Sequence, residues 1–151
     1  MKGEFSEKIN SFLIDIFDNI LIFEQRSLSK SNSNLSIGEI HIIEQIGLSG
    51  NKKMSDIADA TGVTLATMTA AADRLERKGC ITRERSEVDR RIVLLSLTRY
   101  GRVIFKLHRR FHEQMVNKIT DGFDDIEIKV LLSALAKLND FFGKQNKASL
   151  T

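Results

Sequence analysis

Proline is absent from the 151 residues, and cysteine occurs once, at Cys80. Against an average proline usage of about 5%, that absence leaves room for long uninterrupted helices. A single cysteine excludes an internal disulfide framework and points to a reducing compartment. No apolar run approaches the roughly 20 residues of a membrane span, and the start MKGEFSEKIN lacks the apolar core of a signal peptide. Gly-rich phosphate loop, nucleophile elbow and HExxH are all missing. A chain of this length buries roughly 68–70% of the surface its unfolded form exposes, so no disulfide or metal staple is needed. A cytoplasmic protein of one ordinary domain, not an enzyme and with no cofactor, is expected.

Positive charge is scarce outside one block. Residues 1–63 carry six Lys/Arg against nine Asp/Glu, and residues 113–151 carry five against six. Residues 64–112 carry twelve against five, a local +7 that points to a polyanionic partner. Phenylalanine is distributed the opposite way: all nine lie before residue 24 or after residue 104. Large apolar contacts belong to the ends, polyanion contact to the middle.

Helical periodicity dominates. Ile9, Phe12, Leu13, Ile16, Phe17, Ile20 and Leu21 form an amphipathic stripe within a helix over 5–28, which SLSKSNSNLS then breaks. Ser36 and Glu39 make a capping box for a helix to about Leu48. A short helix over 55–60 closes at Thr61-Gly62, and Thr64 caps a helix over 65–78. The buried stripe of that helix is expected at Leu65, Met68, Ala72 and Leu75, with Gly79 as its left-handed terminus. Two short helices about a tight glycine turn are a helix-turn-helix pattern.

Residues 80–85 and 92–97 read as strands of a hairpin tipped by SEVDRR. Thr98 caps a long helix to about Ile119, with Ile104, Leu107, Phe111, Met115 and Ile119 along one side. Asp124 and Glu127 box the last helix, whose stripe is Ile128, Leu131, Leu135, Leu138 and Phe142. Only the last few residues are expected to fray.

Helix-turn-helix plus charged hairpin is a winged helix. The segment LERKGCITRERSEVDRRIVLLSLTRYG, residues 75–101, resembles the MarR family of bacterial transcription regulators. Its Leu-Glu-x-x-Gly helix end, Asp-Arg-Arg wing and Leu-Thr-x-x-Gly junction occur in the family's order and spacing. The resemblance implies a mainly α fold, a winged helix-turn-helix with long N- and C-terminal helices forming a dimerisation domain. It divides the chain into a helical dimerisation region, 1–35 and 103–151, and a DNA-binding domain, 36–102. The implied protein is a homodimeric repressor on double-stranded DNA, with no membrane partner.

SIGEIHIIEQIG, RSEVDRR and HRRFHEQMVNKITDG look further like the family's repressors of fatty-acid synthesis in Gram-positive bacteria. In that branch acyl-acyl-carrier-protein is the corepressor, its acyl chain held in an apolar channel of the dimer.

Within this frame the helix over 65–78 reads the major groove, capped by Thr64. Ala66, Thr67, Ala70, Asp73, Arg74 and Arg77 face outward, with Thr69 at the margin. Methyls and hydroxyls suit thymine and phosphate better than bidentate guanine readout, so an A·T-rich palindromic operator is expected. Arg90 and Arg91 are expected in a narrow minor groove, Asp89 holding an arginine in place, and Lys78, Arg83 and Arg85 against phosphates.

The Phe stripe is open to two readings. Either it is dimer core, or Phe12, Ile16, Ile20 and Phe23 join Ile40, His41, Ile43, Leu107, His108 and Phe111 in an acyl pocket. Lys106, Arg109 and Arg110 then dock the acidic carrier protein or flank DNA. Glu24, His41, His108 and His112 are an alternative metal site, resembling zinc-sensing MarR repressors; a cysteine ligand of that group falls near Lys30 here. Otherwise the histidines are hydrogen-bonded or pocket polar groups, and no metal is bound. A repressor released by a small aromatic ligand is the remaining alternative. Cys80, at the exit of the recognition helix, is expected to be a partly buried, structural and inert thiol.

Overall fold

The computed structural model describes residues 2–30 and 33–148, with side chains over 5–30 and 33–145. Its elements run α1 (Lys2–Lys30), α2 (Ile37–Ile46), β1 (Lys52–Lys53), α3 (Met54–Thr61), α4 (Leu65–Arg77), β2 (Ile81–Arg85), β3 (Val93–Leu97), α5 (Arg99–Ile119) and α6 (Asp125–Ala148). The fold is mainly helical, with an antiparallel sheet in the order β1-β3-β2. Among the described residues no helix is long and apolar enough to cross a membrane. The expected fraying falls on 149–151, outside the described residues.

Local chemistry sets the boundaries. Ser36 accepts from the Glu39 N–H at 3.2 Å, and Glu39 accepts from the Ser36 N–H at 2.9 Å, completing the box that starts α2. Gly47, at φ +66°, stops that helix at Ile46, two residues before the expected Leu48. Asp124 and Glu127 exchange the same pair of bonds at the start of α6. At the end of α4 the Cys80 N–H donates to the Leu75 carbonyl and the Gly79 N–H to that of Glu76, each at 2.9 Å. This Schellman pairing needs the left-handed φ of +70° that Gly79 adopts.

The core lies under α2 to α4 and the sheet, with Ile43, Ile46, Met68, Ala72, Leu75, Cys80 and Leu95 fully buried. It departs from the expected stripes in three places. In α4 the buried set is Met68, Ala71, Ala72 and Leu75, whereas Leu65 is 52% exposed. Helical side chains lean toward the N-terminus, so at the first position Leu65 points past the helix start. In α5 the buried set is Gly101, Ile104, Phe105 and His108. That face is rotated from the expected one, and Leu107 and Ile119 are exposed, because only the first half of α5 packs on the winged helix. On α1 the expected stripe is largely open within one chain: Phe12, Ile16 and Phe17 are exposed, while Glu24 and Leu28 are buried. The two-residue strand β1, pairing Lys52 with Leu95, has no hydrophobic alternation and was not expected.

The Leu-Thr-x-x-Gly junction has a structural reason. Thr98 donates its hydroxyl to the Gly79 carbonyl at 2.6 Å and accepts from the Gly101 N–H at 3.0 Å, while its own N–H donates to the Cys80 carbonyl. The first turn of α5 is thereby pressed onto the strand entry, and a Cβ at Gly101 would collide with the Cys80 carbonyl oxygen.

Candidate nucleic-acid interface

Thr64 caps α4, accepting from the Thr67 N–H at 3.1 Å and sharing a 2.9 Å hydroxyl contact with Thr67. Ala66, Thr67, Ala70, Arg74 and Arg77 are exposed along one side of the helix, and Thr69 is half-buried. The Thr69 hydroxyl donates back to the Leu65 carbonyl at 2.8 Å and is thus engaged within the helix. The face thus offers methyls in its first half and guanidinium in its second.

In the wing, Ser86 N–H donates to the Ile92 carbonyl and Ile92 N–H to that of Asp89. The Asp89 carboxylate accepts from the Arg91 N–H at 3.0 Å and from its Nε at 3.4 Å, an Asx-type lock on the tip. Arg85 donates to the Arg90 carbonyl at 3.0 Å. The Arg91 side chain is 93% exposed, free to enter a groove.

Other predicted cations are already engaged. Arg83 pairs across the sheet with Leu95, so it faces α4, where it meets Asp73 at 2.7 Å and Glu76 at 2.6 Å. Lys78 donates to both oxygens of the buried Glu39, at 2.8 and 3.0 Å, and Arg74 Nε lies 3.5 Å from the same carboxylate. Burial opposes ionisation of Glu39, but the Lys78 bond, the Ser36 N–H and the nearby charges outweigh it and hold the carboxyl below its usual range. Burial, aided by the Glu39 charge, pushes the Cys80 thiol upward, as suits an inert core group. Sequence reasoning gave Glu39 only a capping role; Lys52 and Lys53, exposed on β1, were not singled out at all.

A second cluster forms where α1, α2 and α5 meet. Buried Glu24 lies 3.1 Å from His112 and 3.8 Å from His41, and His108 lies 3.5 Å from Glu44 and 2.9 Å from His112. Ligand atoms of Glu24, His41 and His108 lie within 4.8 Å of one another, as do those of Glu44, His108 and His112. At 2.9 Å the His108 and His112 nitrogens stand at hydrogen-bond distance, closer than the roughly 3.3 Å that two ligands of a tetrahedral zinc keep. Glu44 was missed because it lies a turn from His41 on a helix with an otherwise apolar face. Burial lowers the pKa of His108, with His112 and His41 adding to the shift and Glu44 and Glu24 opposing it.

An unfolded histidine binds protons near its usual 6.5, while folded His108 takes them only at lower pH. Its contribution is complete above 6.5 and disappears as pH falls through the folded value. The urea midpoint is expected to drop on acidification from neutrality, and His108→Leu should flatten that dependence.

Beside the cluster, Ile40, Leu107, His108 and Phe111 line a cleft of about 50 Å³ with Ser27, Leu28, Ser33 and Ile104. Phe23 packs on Phe111 at 4.9 Å. Of the other predicted pocket residues, Phe12, Ile16 and Ile20 lie exposed on α1, His41 is exposed, and Ile43 is in the core.

The MarR family profile matches residues 35–93. The chain is similar to FabT of Streptococcus pneumoniae, solved in complex with DNA, at 43% identity and a TM-score of 0.88, covering 92% of this chain and 98% of that one. It is 30% identical over 118 residues to the transcriptional regulator ZitR of Lactococcus lactis, spanning 75% of this chain and 79% of that protein. An uncharacterised regulator of Bacillus subtilis, YfiV, is 35% identical over 80 residues, and the match spans 52% of this chain and half of YfiV. ZitR and YfiV are transcriptional regulators, and FabT is seen on DNA. Winged helix, charged wing and near-complete coverage agree: the chain belongs to the MarR family of winged helix-turn-helix transcription regulators.

Proposed function

We propose that the protein is a homodimeric repressor that binds an A·T-rich palindromic operator and controls fatty-acid synthesis genes, with acyl-acyl-carrier-protein as corepressor. The observation that carries this reading is the 43% identity, over 92% of the chain, to DNA-bound FabT. The exposed face of α4 enters the major groove, and Arg90 and Arg91 take the flanking minor groove. Residues 1–35 and 103–151 make the dimer: Phe5, Ile9, Phe12 and Phe17 on α1 and Ile126, Val130 and Phe142 on α6 are at least half exposed in one chain, more apolar surface than a monomer ordinarily leaves in water.

Ligand pockets usually span roughly 300–1,000 Å³. A cleft of about 50 Å³ in one chain therefore needs walls from the second copy to hold an acyl chain. The exposed phenylalanines of α1 supply them. Acylated carrier raises operator affinity by binding the DNA-competent spacing of the two wings better than the incompetent one.

A second reading is favoured by the Glu24–His41–Glu44–His108–His112 cluster, whose nitrogen and carboxylate donors suit zinc. It makes the protein a zinc-responsive repressor, with Glu24, His41, His108 and His112 as ligands. Fluorescence anisotropy on promoter fragments separates the two. Tightening by long-chain acylated carrier, and not by the unacylated one, is the expected result; tightening by zinc alone, abolished by a chelator, overturns it.

The wing gives a further expected outcome. Arg91→Ala should weaken operator binding by about tenfold near 0.1 M salt while the dimer survives. Unaltered affinity would remove the wing from the interface.

A further inference from the structure

Glu39 carries more charge than its capping role needs. As the third residue of α2 it closes the box with Ser36, a task that glutamine performs equally well. Its carboxylate is nevertheless buried, 3% exposed, a costly place for a negative charge without partners. The partners are Lys78, on both oxygens at 2.8 and 3.0 Å, and Arg74 at 3.5 Å. Among the basic residues at the C-terminal end of α4, Arg77 alone stays clear of Glu39, its Nε donating to the Asp73 carbonyl of its own helix at 3.3 Å. One carboxylate on α2 therefore draws in two of the three cations that this end of α4 presents.

We infer that Glu39 is an internal competitor for DNA phosphates: it draws Lys78 and Arg74 away from the backbone of any duplex and so limits sequence-independent binding. The inference rests on α4 as the DNA-reading helix. The first half of α4 offers threonine hydroxyls and methyls, which give modest base discrimination. Every phosphate contact added to such a reader raises its affinity for all sequences alike, and so strengthens its hold on the excess of other sites without adding base discrimination. Pairing of Arg83 with Asp73 and Glu76 acts in the same direction, discharging another cation of the basic block inside the protein. Glu39 is a positioning residue here; it touches no DNA itself.

The test compares full-length wild type, Glu39→Gln, Glu39→Gln/Lys78→Met and Arg77→Ala. Each is titrated by anisotropy on an operator fragment and on a scrambled fragment of equal length across a salt series. Glu39→Gln keeps the capping bonds, and thermal unfolding checks that it is folded. It is expected to bind the scrambled fragment more tightly, on the order of tenfold near 0.1 M salt for each cation released, with a log–log salt slope steeper by about 0.9 per cation. Its affinity for the operator should rise by a similar factor, and Lys78→Met added to it should take back the share of Lys78. A purely structural role for Glu39 moves neither slope nor affinity. A folded Glu39→Gln with the wild-type slope, or a steeper slope that Lys78→Met leaves undiminished, overturns the inference.

Arg77→Ala separates this from the underlying reading. If that variant binds operator as wild type does, α4 is not the reader and the inference falls with it. If it weakens binding while Glu39→Gln keeps the wild-type slope, only the inference falls. Should Glu39→Gln not fold, NMR of the Lys78 ammonium in the wild-type complex with scrambled DNA decides. A retained bond to Glu39 supports the competitor role, and transfer of that bond to phosphate overturns it.

Discussion

Gly101→Ala is expected to cost about 3 kcal/mol or more of folding stability, a large share of the roughly 5–15 kcal/mol a domain possesses. An added Cβ would meet the backbone carbonyl of Cys80, which cannot rotate out of the way as a side chain would. Relief requires lifting the first turn of α5. That movement breaks the Thr98 bonds to Gly79 and Gly101 and uncovers Cys80 and Leu97, 0% and 5% exposed in the native fold. Urea unfolding monitored by circular dichroism reads the loss. A midpoint within error of wild type would mean that α5 does not sit this close to the strand entry. Gly79→Ala is a different kind of change, since open space surrounds that position and only its left-handed φ is penalised.

The second large effect concerns assembly. Phe17→Glu places a carboxylate in the middle of the apolar face of α1, where Phe17 is 62% exposed in a single chain. If that face is the dimer core, the variant becomes monomeric, because burying an unpaired charge costs several kcal/mol for each copy. Operator affinity should then fall by about a thousandfold, since a tethered second winged helix supplies its half-site at millimolar effective concentration. Light scattering gives the mass and anisotropy the affinity. Because Phe17 lies outside the winged-helix core, its thermal unfolding should stay cooperative. A dimer of undiminished affinity would move the interface elsewhere.

The elements of this fold were legible because their ends are written locally. Ser36 with Glu39, Thr64, Thr98, and Asp124 with Glu127 all cap helices as their side chains require, and Gly79 ends α4 where a left-handed residue is needed. Which face of a long helix is covered was less legible. Periodicity marks an apolar stripe, yet within one chain α5 buries Ile104, Phe105 and His108 and sets Phe111 against Phe23, while most of the α1 stripe is exposed. Tertiary packing, not spacing, decides that.

The site shows the same division. Residue type and order placed the cations on α4 and the wing, but not their ion pairs. Lys78 and Glu39 are 39 positions apart in sequence and meet only in the fold. Strand register turns Arg83 toward Asp73 and Glu76, and register cannot be read from a five-residue strand alone. The histidines signalled their own proximity, whereas Glu44 joined them only through the way α2 lies across α5.

The central claim, that two copies present α4 and the wing to a palindrome, is met most directly by hydroxyl-radical footprinting of the promoter with the purified protein. The account predicts two-fold symmetric protection, with major-groove centres about one helical turn apart and an A·T-rich minor groove covered beside each. Arg91→Ala should uncover the minor-groove positions alone. A single unpaired footprint, or protection without sequence preference, would contradict it.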